Sequence, residues 1–121
     1  MEVSFMSRLI VTGLSEDREA APGNRYSNYI IVSVTDVDGI PVTGLGESNF
    51  EVEPRIVAPF GANINIENVI ETGLPGFYNI HIVPIKNETW KKGVYIFAVA
   101  VQRKARIGQD RGQTLVSVLM D

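Results

Sequence analysis

The feature that most constrains this chain is a hydrophobic period of two. Tyr29 to Val37 reads Tyr-Ile-Ile-Val-Ser-Val-Thr-Asp-Val. In an extended backbone successive side chains take opposite faces, so Ile30, Val32 and Val34 fall on one side and Ile31, Ser33 and Thr35 on the other. Gly93 to Val101 repeats the pattern with Tyr95, Phe97, Val99 and Val101 on one face; Ile96, Ala98 and Ala100 make its other face apolar too, which predicts a central strand. Thr114 to Met120 alternates Val116, Val118 and Met120 with Leu115, Ser117 and Leu119.

Shorter candidate strands lie at Val3 to Thr12, Asn49 to Glu53, Asn63 to Glu71 and Gly76 to Val83, each bounded by Gly, Pro, Asn or Asp. Pro41, Pro54, Pro59 and Pro84 fall at strand ends, where a missing N–H breaks no ladder. Only Ser15 to Ala21 reads as a helical turn, with a Ser cap before Glu16 and Asp17 and a stop at Pro22-Gly23. The expectation is an all-β fold of seven or eight antiparallel strands in two packed sheets, filling residues 1–121 as a single domain. At 121 residues such a domain buries roughly two-thirds of its unfolded surface and needs no crosslink, in keeping with the absence of cysteine.

The run Val32, Val34, Asp36, Asp38, Gly39, Pro41, Val42, Leu45, Phe50 and Val52 resembles the early half of bacterial immunoglobulin-like domains. Gly76-Phe77-Tyr78 with Pro84, Gly93-Val94-Tyr95, and Gly112 to Val118 are similar to the later strands of that family, so the likeness spans roughly residues 28 to 120. It implies an immunoglobulin-like Greek-key sandwich that presents, spaces or binds, as in bacterial surface proteins and phage structural proteins. Family members usually stand in tandem behind a signal peptide. One copy without such a peptide is expected to serve as a subunit or accessory component of a larger assembly.

Fourteen acidic and eleven basic residues give a net charge of -3, so no overall field gathers nucleic acid or anionic lipid. No apolar run approaches the roughly 20 residues that span a bilayer. Neither nucleic acid nor membrane insertion is therefore expected, and the compartment stays open. Asp36 and Asp38 invite a calcium loop, but the spacing fails: with Asp36 first, Ile40 and Pro41 take the fifth and sixth positions, where an oxygen ligand and Gly belong. A turn with Gly39 at positive φ, its amides received by Asp36, is the expectation instead. His81 is the only histidine and is expected on the less buried face of its strand, with no nucleophile beside it. Neither a metal site nor a cofactor site is expected.

The candidate partner-binding residues are the basic run Gln102-Arg103-Lys104-Ala105-Arg106 with Arg111, on a hairpin between the last two strands, and Trp90. The basic run reads first as a solvated hairpin tip and second as a contact for an acidic surface. Trp90 is read either as a cap over the end of the core or as an exposed anchor. Tyr95 is expected to bond backbone nearby through its hydroxyl, and Glu47, Glu51 and Glu53 to form a solvated strand edge. The functional expectation is a non-catalytic module for protein–protein interaction or structural assembly, through a protein partner or self-association. The alternative is a carbohydrate-binding or surface-adhesion module using Trp90, Tyr26, Tyr29 and Phe60.

Overall fold

The computed structural model describes residues 8–18, 20–56, 63–104 and 108–121. Seven strands are found among them: β1 Ile10–Arg18, β2 Asn28–Thr35, β3 Phe50–Ile56, β4 Ile64–Glu71, β5 Phe77–Pro84, β6 Gly93–Lys104 and β7 Gln109–Met120. They form two antiparallel sheets, one ordered β1-β2-β5-β4 and the other β3-β6-β7. The chain changes sheets at β2–β3, β3–β4 and β5–β6, while β4–β5 and β6–β7 are neighbours within a sheet.

The period-two reading survives at each long strand. Ile30, Val32 and Val34 are fully buried, as are Tyr95, Phe97 and Val99, and they meet Tyr78, Ile80 and Ile82 of β5 in one core. β6 lies between β3 and β7, the central position its sequence predicts. On β7, Val118 and Met120 face the core while Leu115 and Leu119 point outward.

Three sequence expectations are corrected. The first strand runs over Ile10–Arg18 rather than Val3 to Thr12, and residues 1–7 lie outside the described part. The expected helical turn from Ser15 is strand instead: Ser15, Glu16, Asp17 and Arg18 pair with Ile31, Ile30, Tyr29 and Asn28, after a register shift between Gly13 and Ser15. A turn that short carries the nucleation cost of a helix with few bonds in return, whereas the β2 edge offers one ladder bond after another. Pro54 falls inside β3 rather than at its end, which the ladder tolerates because β3 is an edge strand.

The turn after β2 is built by Asp36. Its Oδ1 accepts from the amides of Asp38 at 2.8 Å and Ile40 at 3.0 Å, and Gly39 takes φ of +82°. Farther along, the Tyr78 hydroxyl donates to the Val42 carbonyl at 2.7 Å and accepts from the Leu45 amide at 3.2 Å. Burial holds that phenol above its ordinary pKa. Glu71 of β4 pins the same segment from outside, Oε1 accepting from Gly44 N at 3.0 Å and Oε2 from Gly76 N at 3.1 Å. These anchors fix where the chain enters the 3-10 turn Glu47–Asn49 and then β3.

Candidate functional site

The expected basic surface is smaller than its sequence. Arg103 faces Asp110 across the β6–β7 ladder and donates to Oδ2 from Nε at 3.1 Å and from Nη2 at 2.6 Å. Asp110 is 4% exposed, so the pair tethers the base of the hairpin, while the Arg103 side chain stays 39% exposed with its charge balanced. Lys104 and Arg111 remain exposed, with the Arg111 guanidinium donating to Gln109 Oε1, and Arg106 lies outside the described residues.

Trp90 is the cap and not the anchor. Its side chain is 0% exposed, its Nε1 donates to the Tyr26 carbonyl at 2.7 Å, and its ring meets Tyr95 edge-on at 5.4 Å. The physical reason is the loop pairing on either side: Trp90 N donates to Asn24 O, and Gly23 N donates to Trp90 O. Arg25 completes the clasp by donating to the carbonyls of Pro84, Ile85 and Glu88. The Tyr95 hydroxyl accepts from the Lys91 amide at 2.9 Å, as its place in the sequence predicts. Of the other aromatic candidates for sugar contact, Tyr26 is exposed, Tyr29 lies edge-on to His81 at 4.5 Å, and Phe60 is outside the described residues.

The structure draws attention to β3 instead. Three recesses, of about 560, 670 and 100 Å³, all have Glu51 in their walls. The first lies on the outer face of the β3-β6-β7 sheet, between Asn49 and Glu51 on one side and Gln102, Arg111 and Gln113 on the other. The third follows the same face over Ala98 and Ala100, whose small side chains leave a shallow channel beside Glu51 and Glu53. The second and largest opens between the two sheets, where Phe50, Glu51 and Val52 of β3 face Ile64, Asn65 and Ile66 of β4.

That cleft exists because β3 and β4 are both edge strands and are not paired with each other. Phe50 and Val52 are buried in the core, with Ile64 and Ile66 packed against it in part, so the cleft floor is apolar. Glu47 and Glu51 are exposed at its rim, and among the described residues no Lys or Arg lines it. The rest of each edge is irregular. β4 shifts register between Ile66 and Asn68, and β3 carries Pro54 with a shift between Pro54 and Ile56. A proline or a bulge blunts a strand edge against pairing, and neither interrupts residues 50–53.

Alternate glutamates were legible in the sequence as a strand edge; the cleft was not, because it depends on which strands end up without a neighbour. No group of three or more His, Cys, Asp or Glu able to hold a metal is found among the described residues. Nor, among them, is any helix long and apolar enough to cross a membrane. No family model, curated protein or solved structure matches the chain.

Proposed function

We propose that the chain is an immunoglobulin-like, non-catalytic interaction module, working as a subunit or accessory component of a larger assembly. The fold part of this reading is supported by the strand order: β1-β2-β5-β4 facing β3-β6-β7 is the arrangement of a seven-stranded constant-type immunoglobulin sandwich. A Tyr95 hydroxyl near the start of β6, bound to backbone four residues upstream, fits the tyrosine corner of the same type of sandwich.

The observation that carries the interaction part is the edge position of β3 beside an open recess lined by Phe50, Val52, Ile64 and Ile66. Backbone N–H and C=O groups along an edge strand are a template for another chain, and this one is left regular over the stretch that faces the cleft. A second surface of the same kind lies on the outer face of the β3-β6-β7 sheet. There Val94 and Leu119, 46% and 54% exposed, are register partners, and Leu115, 62% exposed, lies four residues along the same face of β7. Exposed apolar side chains on one sheet face are suited to packing against protein.

Chemical crosslinking of the tagged chain in its source cells, followed by light scattering on the purified complex, tests the reading. A complex of fixed stoichiometry is expected. A monomer that crosslinks to nothing above background overturns it.

A further inference from the structure

We propose that copies of this chain associate end to end, the acidic turns at one end of the β2–β5 strand pair docking on the basic loops at the other end of the same pair in the next copy. This rests on the reading of the chain as an assembly subunit and names one partner for it, a second copy. β2 and β5 are the two middle strands of the β1-β2-β5-β4 sheet and pair from Asn28 with Ile82 to Ser33 with Phe77. Segments 36–41 and 71–76 stand at the Ser33–Phe77 end, and segments 22–27 and 85–92 at the Asn28–Ile82 end. β2 has 8 residues, so the two ends lie about 26 Å apart along one strand direction. A copy displaced along that direction brings its unlike end to the first.

The charges of these segments are complementary. Segments 36–41 and 71–76 hold Asp36, Asp38 and Glu71 and no Lys or Arg, whereas segments 22–27 and 85–92 hold Arg25, Lys86, Lys91 and Lys92 against Glu88 alone. Three acids thus face an excess of three bases, which steers encounter and fixes the order of the ends. Apolar surface is offered at both ends as well. Val37, Ile40 and Leu74 are exposed on the acidic turns and Tyr26 on the basic loops. The two acidic turns adjoin, since a Cβ at Gly76 would lie 2.9 Å from Pro41 Cβ. Both ends are also held in place before contact. Glu71 accepts from the amides of Gly44 and Gly76, and Trp90 N and Gly23 N bond across the two basic loops, so little ordering is left to oppose docking.

Pairing either end with its own kind across a two-fold axis would set acid on acid or base on base, which is unfavourable. A contact between unlike ends is heterologous and repeats from copy to copy, so it builds an open row or a ring and not a closed pair. The contact is small, so it is weak in dilute solution and gains strength where copies are held together in an assembly.

Sedimentation velocity of the full chain from about 20 µM to about 1 mM, where weak contacts become populated, tests the proposal. The average sedimentation coefficient is expected to rise past that of a dimer and to fall back toward the monomer in about 0.5 M salt. Leu74→Lys blocks the acidic end, and Lys86→Glu with Lys92→Glu blocks the basic end. Each blocked chain is expected to keep a folded amide spectrum and to self-associate at least about tenfold more weakly. Asp38→Lys, on the other acidic turn, should act as Leu74→Lys does. Mixed in equal amounts, the two blocked chains retain one good end each, so association is expected to return and to stop at a one-to-one dimer. A chain that stays monomeric at the highest concentration overturns the proposal. So do a plateau at the dimer, the mark of a two-fold contact, unchanged association in the blocked chains, and a mixture that gains nothing over either alone. Failure here is distinguishable from failure of the module: a chain that crosslinks into a fixed complex with other proteins yet sediments alone as a monomer loses only the end-to-end contact.

Discussion

The two seams of the sandwich are made differently. Along β1 and β7 the sheets meet backbone to backbone: Leu9 N donates to Arg111 O at 2.8 Å, Arg8 and Arg111 form a parallel bridge, and Gly112 lies under the Leu9 carbonyl. Along β3 and β4 no ladder joins the sheets among the described residues, and a wide, open recess of about 670 Å³ lies along the edges. What closes the first seam is the lack of side chains at its closest approach. At the second, exposed Glu47 and Glu51 lie beside the partly buried Ile64 and Ile66. The first seam therefore carries stability and the second is free to carry recognition.

The largest effect should come from filling the closed seam. A Cβ at Gly112 would lie 2.2 Å from Leu9 O and 2.8 Å from Leu9 C, so Gly112→Val must push the start of β1 off β7. Overpacking against backbone costs about 3 kcal/mol here, the upper part of the usual range, because no side chain can rotate away. Chemical denaturation measures it. A loss under about 0.5 kcal/mol would mean that the seam is loose, and the contrast between the seams would fall.

The next effect is at the same seam but is milder. At Gly13 a Cβ would meet Val116 Cγ2 at 2.8 Å, a side chain rather than a carbonyl. Val116 is only partly buried, although its β-branch restricts how it can turn aside. Gly13→Ala is expected to cost about 1 kcal/mol by the same denaturation measurement. A cost equal to that of Gly112→Val would show that side-chain and backbone approach do not differ as argued.

How much of this contrast is visible in the sequence depends on the range over which each part is determined. Strand faces are local: Ile30, Val32 and Val34 alternate with Ile31, Ser33 and Thr35 whatever their neighbours, and they are found as read. The Asp36 turn is equally local, since its acceptor and donors lie within five residues. Trp90 was narrowed to two readings and decided by contacts with Asn24 and Tyr26, more than sixty residues earlier. Ser15 to Arg18 misled because the signal there is local and helical while the decision is made by pairing with β2. The cleft left least trace. Glu47 and Glu51 mark an edge, but nothing in Phe50-Glu51-Val52 shows that β4 will face it without pairing.

An acid titration tests how the open seam is held in place. Hydrogen bonds from the amides of Gly44 and then Gly76 keep the Glu71 carboxyl below its ordinary pKa of 4.5. The unfolded chain, with the higher value, binds this proton more readily, so stability rises with pH through the window between the two values. The contribution is complete above about pH 4.5 and is lost as pH falls through the lower, folded value. Glu71→Gln should remove that part of the acid dependence and lower the melting temperature modestly at pH 7. Because Glu71 holds the segment that leads into β3, amide exchange at residues 44–49 should quicken in the variant. An unchanged acid profile would show that the carboxylate does not anchor the seam.

The smallest effect on stability should come from the rim itself. Glu51 is exposed, and its register partner Ala100 on β6 is uncharged, so Glu51→Lys removes no buried contact and breaks no cross-strand ion pair. Surface substitutions of this kind stay within about 0.5 kcal/mol. Denaturation of Gly112→Val and Glu51→Lys side by side tests the contrast: the first variant should lose stability and the second should keep it. If Glu51→Lys destabilises the fold by more than about 1 kcal/mol, the rim supports the sandwich itself and the division of labour between the seams fails.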